Sequence, residues 1–199
     1  MNNFISPGFF SGPQIGGYFG SQVTVDVPAV STIRFEFFGA EALFHNEFNF
    51  FGSELFDHPG GTVLAPNLGA PLASFQTLII GFGLLPFSFD FNVDGVSGLP
   101  PAFLANGSNL NIVTDPTGVP NFFASCDPFS GTAGAGGTTC STLYLFLDDF
   151  GALDADHDDF LVRISVAAAP EPATLSLLGL GLLGFAGRRA RARSNSPRP

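Results

Sequence analysis

The chain has no lysine and no tryptophan, one methionine and two cysteines in 199 residues. Without lysine no phosphate-binding loop G-x-x-x-x-G-K-[ST] can be completed. Basic residues are nearly absent until the end: Arg34 and Arg163 are the only two before a terminal cluster. Against them residues 1–169 set sixteen acids, a formal charge of −14. Nucleic-acid binding is excluded on this ground, because neutralising phosphates needs a basic face. Such a surface suits solubility outside the cell and attracts divalent cations.

Catalytic spacings are missing as well. Gly95-Val96-Ser97-Gly98 brings its second glycine one residue too early for a nucleophile elbow G-x-S-x-G. His45-Asn46-Glu47 lacks the adjacency and the second histidine of H-E-x-x-H. A carboxylate pair flanking a sugar would have to come from Glu36, Glu41, Glu47 or Glu54 meeting an Asp across the fold, which spacing alone does not place. The expectation is a protein that is not an enzyme.

What is present is alternation. Phe87, Phe89, Phe91 and Val93 alternate with Ser88, Asp90, Asn92 and Asp94, the period of a strand with one buried face. Val23, Val25 and Val27 repeat it, as do Ile33, Phe35 and Phe37, with Arg34 and Glu36 turned outward. Leu143, Leu145 and Leu147 run into an acidic turn, and Phe160, Val162, Ile164 and Val166 leave it, which predicts a hairpin. Turn chemistry separates the runs, for example over 96–101 and 106–109, and no amphipathic helix interrupts them. The fold class expected is all-β, an antiparallel β-sandwich or jelly roll, with the 25 phenylalanines filling its core. One short C-terminal hydrophobic helix follows it. Cys126 and Cys140 flank a Gly/Thr-rich stretch with no histidine ligand nearby, so in an oxidising compartment they read as one disulfide. Closing a loop of this size is worth about 3 kcal/mol.

The acidic turn, Asp148 to Asp159, packs six carboxylates into twelve residues. They repel one another unless water or a cation neutralises them. Asp154, Asp156 and Asp158 stand at i, i+2 and i+4, from which a looped backbone can turn oxygens onto one Ca²⁺. The candidate metal ligands are thus Asp148, Asp149, Asp154, Asp156, Asp158 and Asp159, with Ca²⁺ as an optional ion rather than a required cofactor. It is not an EF-hand, since Asp159 stands where that loop needs Gly and Ser165 where it needs Glu. The stretch resembles a C-terminal segment of bacterial surface proteins, an acidic pair, a Gly-rich turn and Asp-x-Asp-aromatic-Asn-Asp before a Val-rich strand. Ala152, Leu153, His157 and Asp158 depart from that pattern. The resemblance implies a β-rich, cation-binding domain.

At the end of the chain stand Pro170-Glu171-Pro172, an uncharged apolar run from Ala173 to Gly187, then Arg188, Arg189, Arg191 and Arg193. The two prolines stop helix from running back into the domain. The apolar run has 15 residues, against the roughly 20 that span a bilayer. An arginine cluster stays on the cytoplasmic side. The division expected is 1–166 an exported β-sandwich domain, 167–172 a linker with the Pro-Glu-Pro motif, 173–187 a hydrophobic sorting or transmembrane helix and 188–199 a basic cytoplasmic tail. The order of parts resembles the PEP-CTERM sorting signal of Gram-negative surface proteins. That resemblance implies recognition of Pro170, Glu171 and Pro172 by exosortase, a membrane-embedded transpeptidase-like protease, with Arg188 and Arg189 opening the retention cluster. The tail from Ser194 to Pro199 is longer than the usual ending. Met1 to Ser11 holds neither a basic residue nor an apolar core of signal-peptide length, so an exported chain is expected to begin further upstream. The function expected is a cell-surface or extracellular-matrix protein of the envelope or biofilm, held in the inner membrane before release. The alternative is a Ca²⁺-assisted module that binds extracellular polysaccharide.

Overall fold

A computed structural model describes residues 3–5, 14–19, 22–42, 44–64, 68–91, 102–108, 122–126, 140–149 and 157–169. In chain order these form β1 (Asn3–Ile5), β2 (Ile15–Phe19), β3 (Thr24–Ala42), β4 (Asn46–Phe50), β5 (Ser53–His58), β6 (Thr62–Leu64), β7 (Ala73–Leu84), β8 (Phe87–Phe91), β9 (Ala102–Ala105), β10 (Phe122–Cys126), β11 (Thr142–Leu147) and β12 (Phe160–Ala168). Among the described residues there is no helix, and every strand pairing is antiparallel. The chain is all-β, as its alternation requires. The apolar run 173–187, where a helix is expected, lies outside the described residues. The chain divides into two compact units, Met1–Ala168 and Ala169–Pro199.

The strands of the first unit form two sheets. One has the order β1-β2-β10-β11-β12-β3-β6, with β7 also paired to β3, and the other runs β5-β4-β8-β9. One core joins them: Phe35, Phe122, Leu145 and Phe160 from the large sheet meet Phe48, Phe56, Phe89 and Leu104 from the small one. Two sheets facing each other over such a layer make a sandwich. The expected hairpin is present, since Leu147 pairs with Phe160 and Leu143 with Ile164.

The outer face of the large sheet is not wet. Ile5, Ile15, Phe38, Phe123, Tyr144, Phe146 and Leu161 form a second buried cluster there. Glu36, expected to point into solvent, lies on this face and is buried. Alternation correctly turned it away from the main core, but gave no sign of what covers the other side. Arg163 donates to Glu36 Oε2 from Nε at 2.7 Å, and Arg34 Nη2 stands 3.2 Å from Oε1. The two arginines that precede the tail therefore serve one buried carboxylate.

Two local devices set this geometry. The β3–β12 register shifts where Leu161 faces Gly39 and Val162 faces Phe37, leaving Phe38 as the extra residue of a bulge. Gly39 takes φ 142°, a backbone conformation that a side chain would strain. The bulge reverses the alternation, so Phe37 and Ala40 both enter the main core while Phe38 enters the other cluster. At the β4–β5 turn Phe51 and Gly52 have φ of 52° and 72°, the double positive-φ turn that suits hairpin twist. Between the sheets, the Asn106 amide donates to the Val23 and Leu85 carbonyls at 2.7 and 2.8 Å and accepts from the Val23 amide at 2.9 Å. It satisfies backbone groups where the chain crosses from β7 to β8.

Candidate functional site

Strand β12 extends two residues past Val166, with Ala167 opposite Thr32 and Ala168 opposite Ser31. Pro170, Glu171, Pro172, Arg188 and Arg189, the sorting residues expected from sequence, lie outside the described residues. The sheet thus runs to within two residues of the Pro-Glu-Pro motif. Cys126, at the end of β10, is joined to Cys140, with Cα atoms 5.9 Å apart.

Of the six acids assigned to the cation loop, Asp154 and Asp156 lie outside the described residues. The other four sit where β11 ends and β12 begins, and Asp148, Asp149 and Asp158 are buried. Asn46 donates to Asp149 Oδ2 at 2.7 Å, the Asp149 backbone amide donates to Asp159 Oδ2 at 2.7 Å, and His157 Nδ1 is 3.8 Å from Asp148 Oδ2. Among the described residues these four acids do not bring three ligand atoms within 4.8 Å of one another. The foot of the acidic turn is therefore an enclosed hydrogen-bonded knot rather than a solvated loop. Burial, with Asp149, Asp148 and Asp158 adding like charge, pushes the Asp159 carboxyl well above the usual carboxylate range, against the opposing amide bond.

The sign of the pH dependence follows. A carboxyl whose pKa is raised by folding binds its proton more readily in the native state, so ionisation at neutral pH withdraws stability. Burial raises the carboxyls of Glu47 and Asp90 too, and acts in the same direction. In chelator, melting temperatures should rise as the pH is lowered from 7 toward the ordinary carboxylate range and Asp159 takes up its proton, and Asp159→Asn should flatten the rise. A profile that falls over this window would contradict the assignment.

A second cluster escaped the sequence reading. His45, immediately before β4, and Glu47 within it stand at i and i+2, so both address one face of the small sheet. Asp57 on β5 is directly opposite Glu47, and Asp90 on β8 is opposite Glu47 on the other side. His45 Nε2 is in close contact with Asp57 Oδ1 and lies 3.8 Å from Glu47 Oε1. The three ligand atoms lie within 4.8 Å of one another. Like charges directly opposite on neighbouring strands are destabilising, and a row of three acids here shares one imidazole. Glu47 carries the mark of this crowding: burial first, then Glu54, Asp90 and Asp57 raise its carboxyl, while His45 lowers it. The spacing showed only His45 and Glu47, two residues apart, and Asp57 joins them through strand pairing. A two-residue turn at Phe51-Gly52 fixes the hairpin register, but the β-bulge between Phe48 and Asn49 shifts the count.

Near the end of β12 a cleft of about 350 Å³ opens among Val23, Val25, Leu85, Leu143, Ile164 and Val166. Among the described residues its lining holds no ionisable side chain, Cys140 being disulfide-bonded. No curated protein and no solved structure matches the chain. Residues 168–191 match the model of the PEP-CTERM protein-sorting motif, so the chain carries that sorting signal, which implies exosortase-dependent export to the cell surface.

Proposed function

We propose that the β-sandwich is a non-catalytic structural or adhesive module of the bacterial surface or extracellular matrix, contributing to the envelope or biofilm. The observation that carries this reading is the sorting motif beginning at the last residue of β12. In this reading the apolar run 173–187 holds the chain in the inner membrane, with its arginines inside, until exosortase cuts near Pro170-Glu171-Pro172. The sandwich itself supports a role in association. Strand β7 has twelve residues and no charge, pairs with β3 among the described residues, and exposes Leu78 and Ile80 at 63% and 75%. Exposed apolar edge strands are surfaces that other chains pair with.

The test is the intact mass and fractionation of the protein in its native host, beside Glu171→Ala. Wild type should lose mass C-terminal to the motif and leave the inner membrane, while the variant stays uncut. An uncut protein in the inner membrane in both would make the tail a plain anchor and remove the ground for a matrix role.

The buried acids at the foot of the turn favour a second reading, Ca²⁺-assisted binding of extracellular polysaccharide. Ca²⁺ would neutralise a knot that burial otherwise penalises. A glycan array with Ca²⁺ and with chelator separates the two readings, because chelator-sensitive retention of a sugar class requires the second. Melting curves that coincide in excess Ca²⁺ and in chelator would sink it.

A further inference from the structure

The cluster on the outer face of the small sheet has a chemistry that neither sorting nor the acidic turn uses. We propose that His45 Nε2, Glu47 Oε1 and Asp57 Oδ1 form a three-ligand site for a divalent transition-metal ion of the zinc class.

The donor set selects the metal. One imidazole nitrogen with two carboxylate oxygens suits Zn²⁺ and its neighbours, whereas Ca²⁺ and Mg²⁺ take oxygen ligands and Cu(I) takes sulfur. Tetrahedral bonds of about 2.0–2.1 Å place ligand atoms about 3.4 Å apart. His45 and Glu47 are at 3.8 Å, and the whole set spans no more than 4.8 Å. Coordination therefore needs side-chain adjustment, drawing Glu47 inward and letting Asp57 separate slightly from His45. The backbone beneath is fixed, because Glu47 and Asp57 face each other in the β4–β5 ladder.

The surroundings favour a cation beyond the imidazole. Glu54, Asp90 and Asp57 all act on Glu47, so the negative charge of the patch exceeds what one histidine can neutralise. Asp90 Oδ1, on the strand beside Glu47, is closed off from solvent and has no hydrogen-bond partner. The ligand side chains remain reachable, at 16% exposure for His45, 20% for Glu47 and 44% for Asp57. Three protein ligands leave a fourth position for water or for a donor from another molecule.

The experiment is calorimetric titration of Zn²⁺ into the full chain, purified in mild detergent without a polyhistidine tag, with Ca²⁺ titrated in parallel. Wild type should bind one Zn²⁺. Affinity should fall at least about tenfold in both His45→Ala and Asp57→Asn, while Glu41→Gln, an exposed acid on β3, binds as wild type does. Ca²⁺ binding should be the same in all four proteins. Melting in chelator checks that the variants are folded, and Asp57→Asn, at the most exposed ligand, keeps the test open if His45→Ala is not. Absence of Zn²⁺ binding in wild type, Zn²⁺ affinity unchanged in the folded variants, or loss of Ca²⁺ binding in their place would each overturn the proposal.

Discussion

Phe89→Ala should lower the unfolding free energy by about 4 kcal/mol, within the 3–5 kcal/mol typical of deleting a buried phenyl ring. Phe89 is fully buried on β8, and its ring meets those of Phe48, Phe87, Phe122 and Phe160 at centroid distances of 5.2, 6.1, 6.2 and 6.2 Å. Two of these partners belong to the small sheet and two to the large one. The cavity left by alanine would lie between the sheets, where rigid strands on both sides limit collapse. Domains are stable by only about 5–15 kcal/mol, so the variant should be close to unfolding. Denaturant titration should show a lower midpoint with an unchanged slope. A loss below about 1 kcal/mol would mean that the ring does not join the two layers.

Arg163→Met is expected to cost about 3 kcal/mol, the low end of the range for breaking a buried ion pair, because Arg34 still reaches the other oxygen of Glu36. Methionine keeps an apolar stem against Phe38 and Tyr144, over whose rings the guanidinium lies at 4.9 and 5.8 Å. What it removes is the guanidinium that contacts Glu36 Oε2 at 2.7 Å through both Nε and Nη2. Glu36 is 3% exposed and cannot recover water in exchange. Pairing the change with Glu36→Gln should restore part of the loss, since the stranded charge is then gone. If the double variant is no more stable than Arg163→Met alone, the cost lies in packing rather than charge.

Much of this architecture was legible because alternation reports burial one strand at a time. Phe87 and Phe89, Leu143 to Leu147 and Phe160 to Ile164 each wrote their core face into the sequence, and the acidic turn between the last two runs fixed their hairpin. The terminal motif was legible because it is linear, with every part in order along the chain. Glu36 was misplaced because alternation says which side of a sheet a residue takes, not whether that side is covered. Here Ile5 and Ile15, far away in sequence, help to cover it. The His45 cluster was missed for a related reason. Its third ligand arrives across a hairpin whose bulge shifts the pairing by one, and no spacing in the chain announces a bulge.

The placement of β12 has a mechanical consequence. This strand lies inside the large sheet, hydrogen-bonded to β11 along one edge and β3 along the other, and its last paired residue is the first of the sorting segment. Tension applied through the tail, from a membrane or from a matrix to which the chain has been joined, would draw β12 lengthwise past both neighbours. Its ladder bonds would then be strained together instead of being unzipped one after another from an edge. A tether attached at this point grips the sandwich by a central strand.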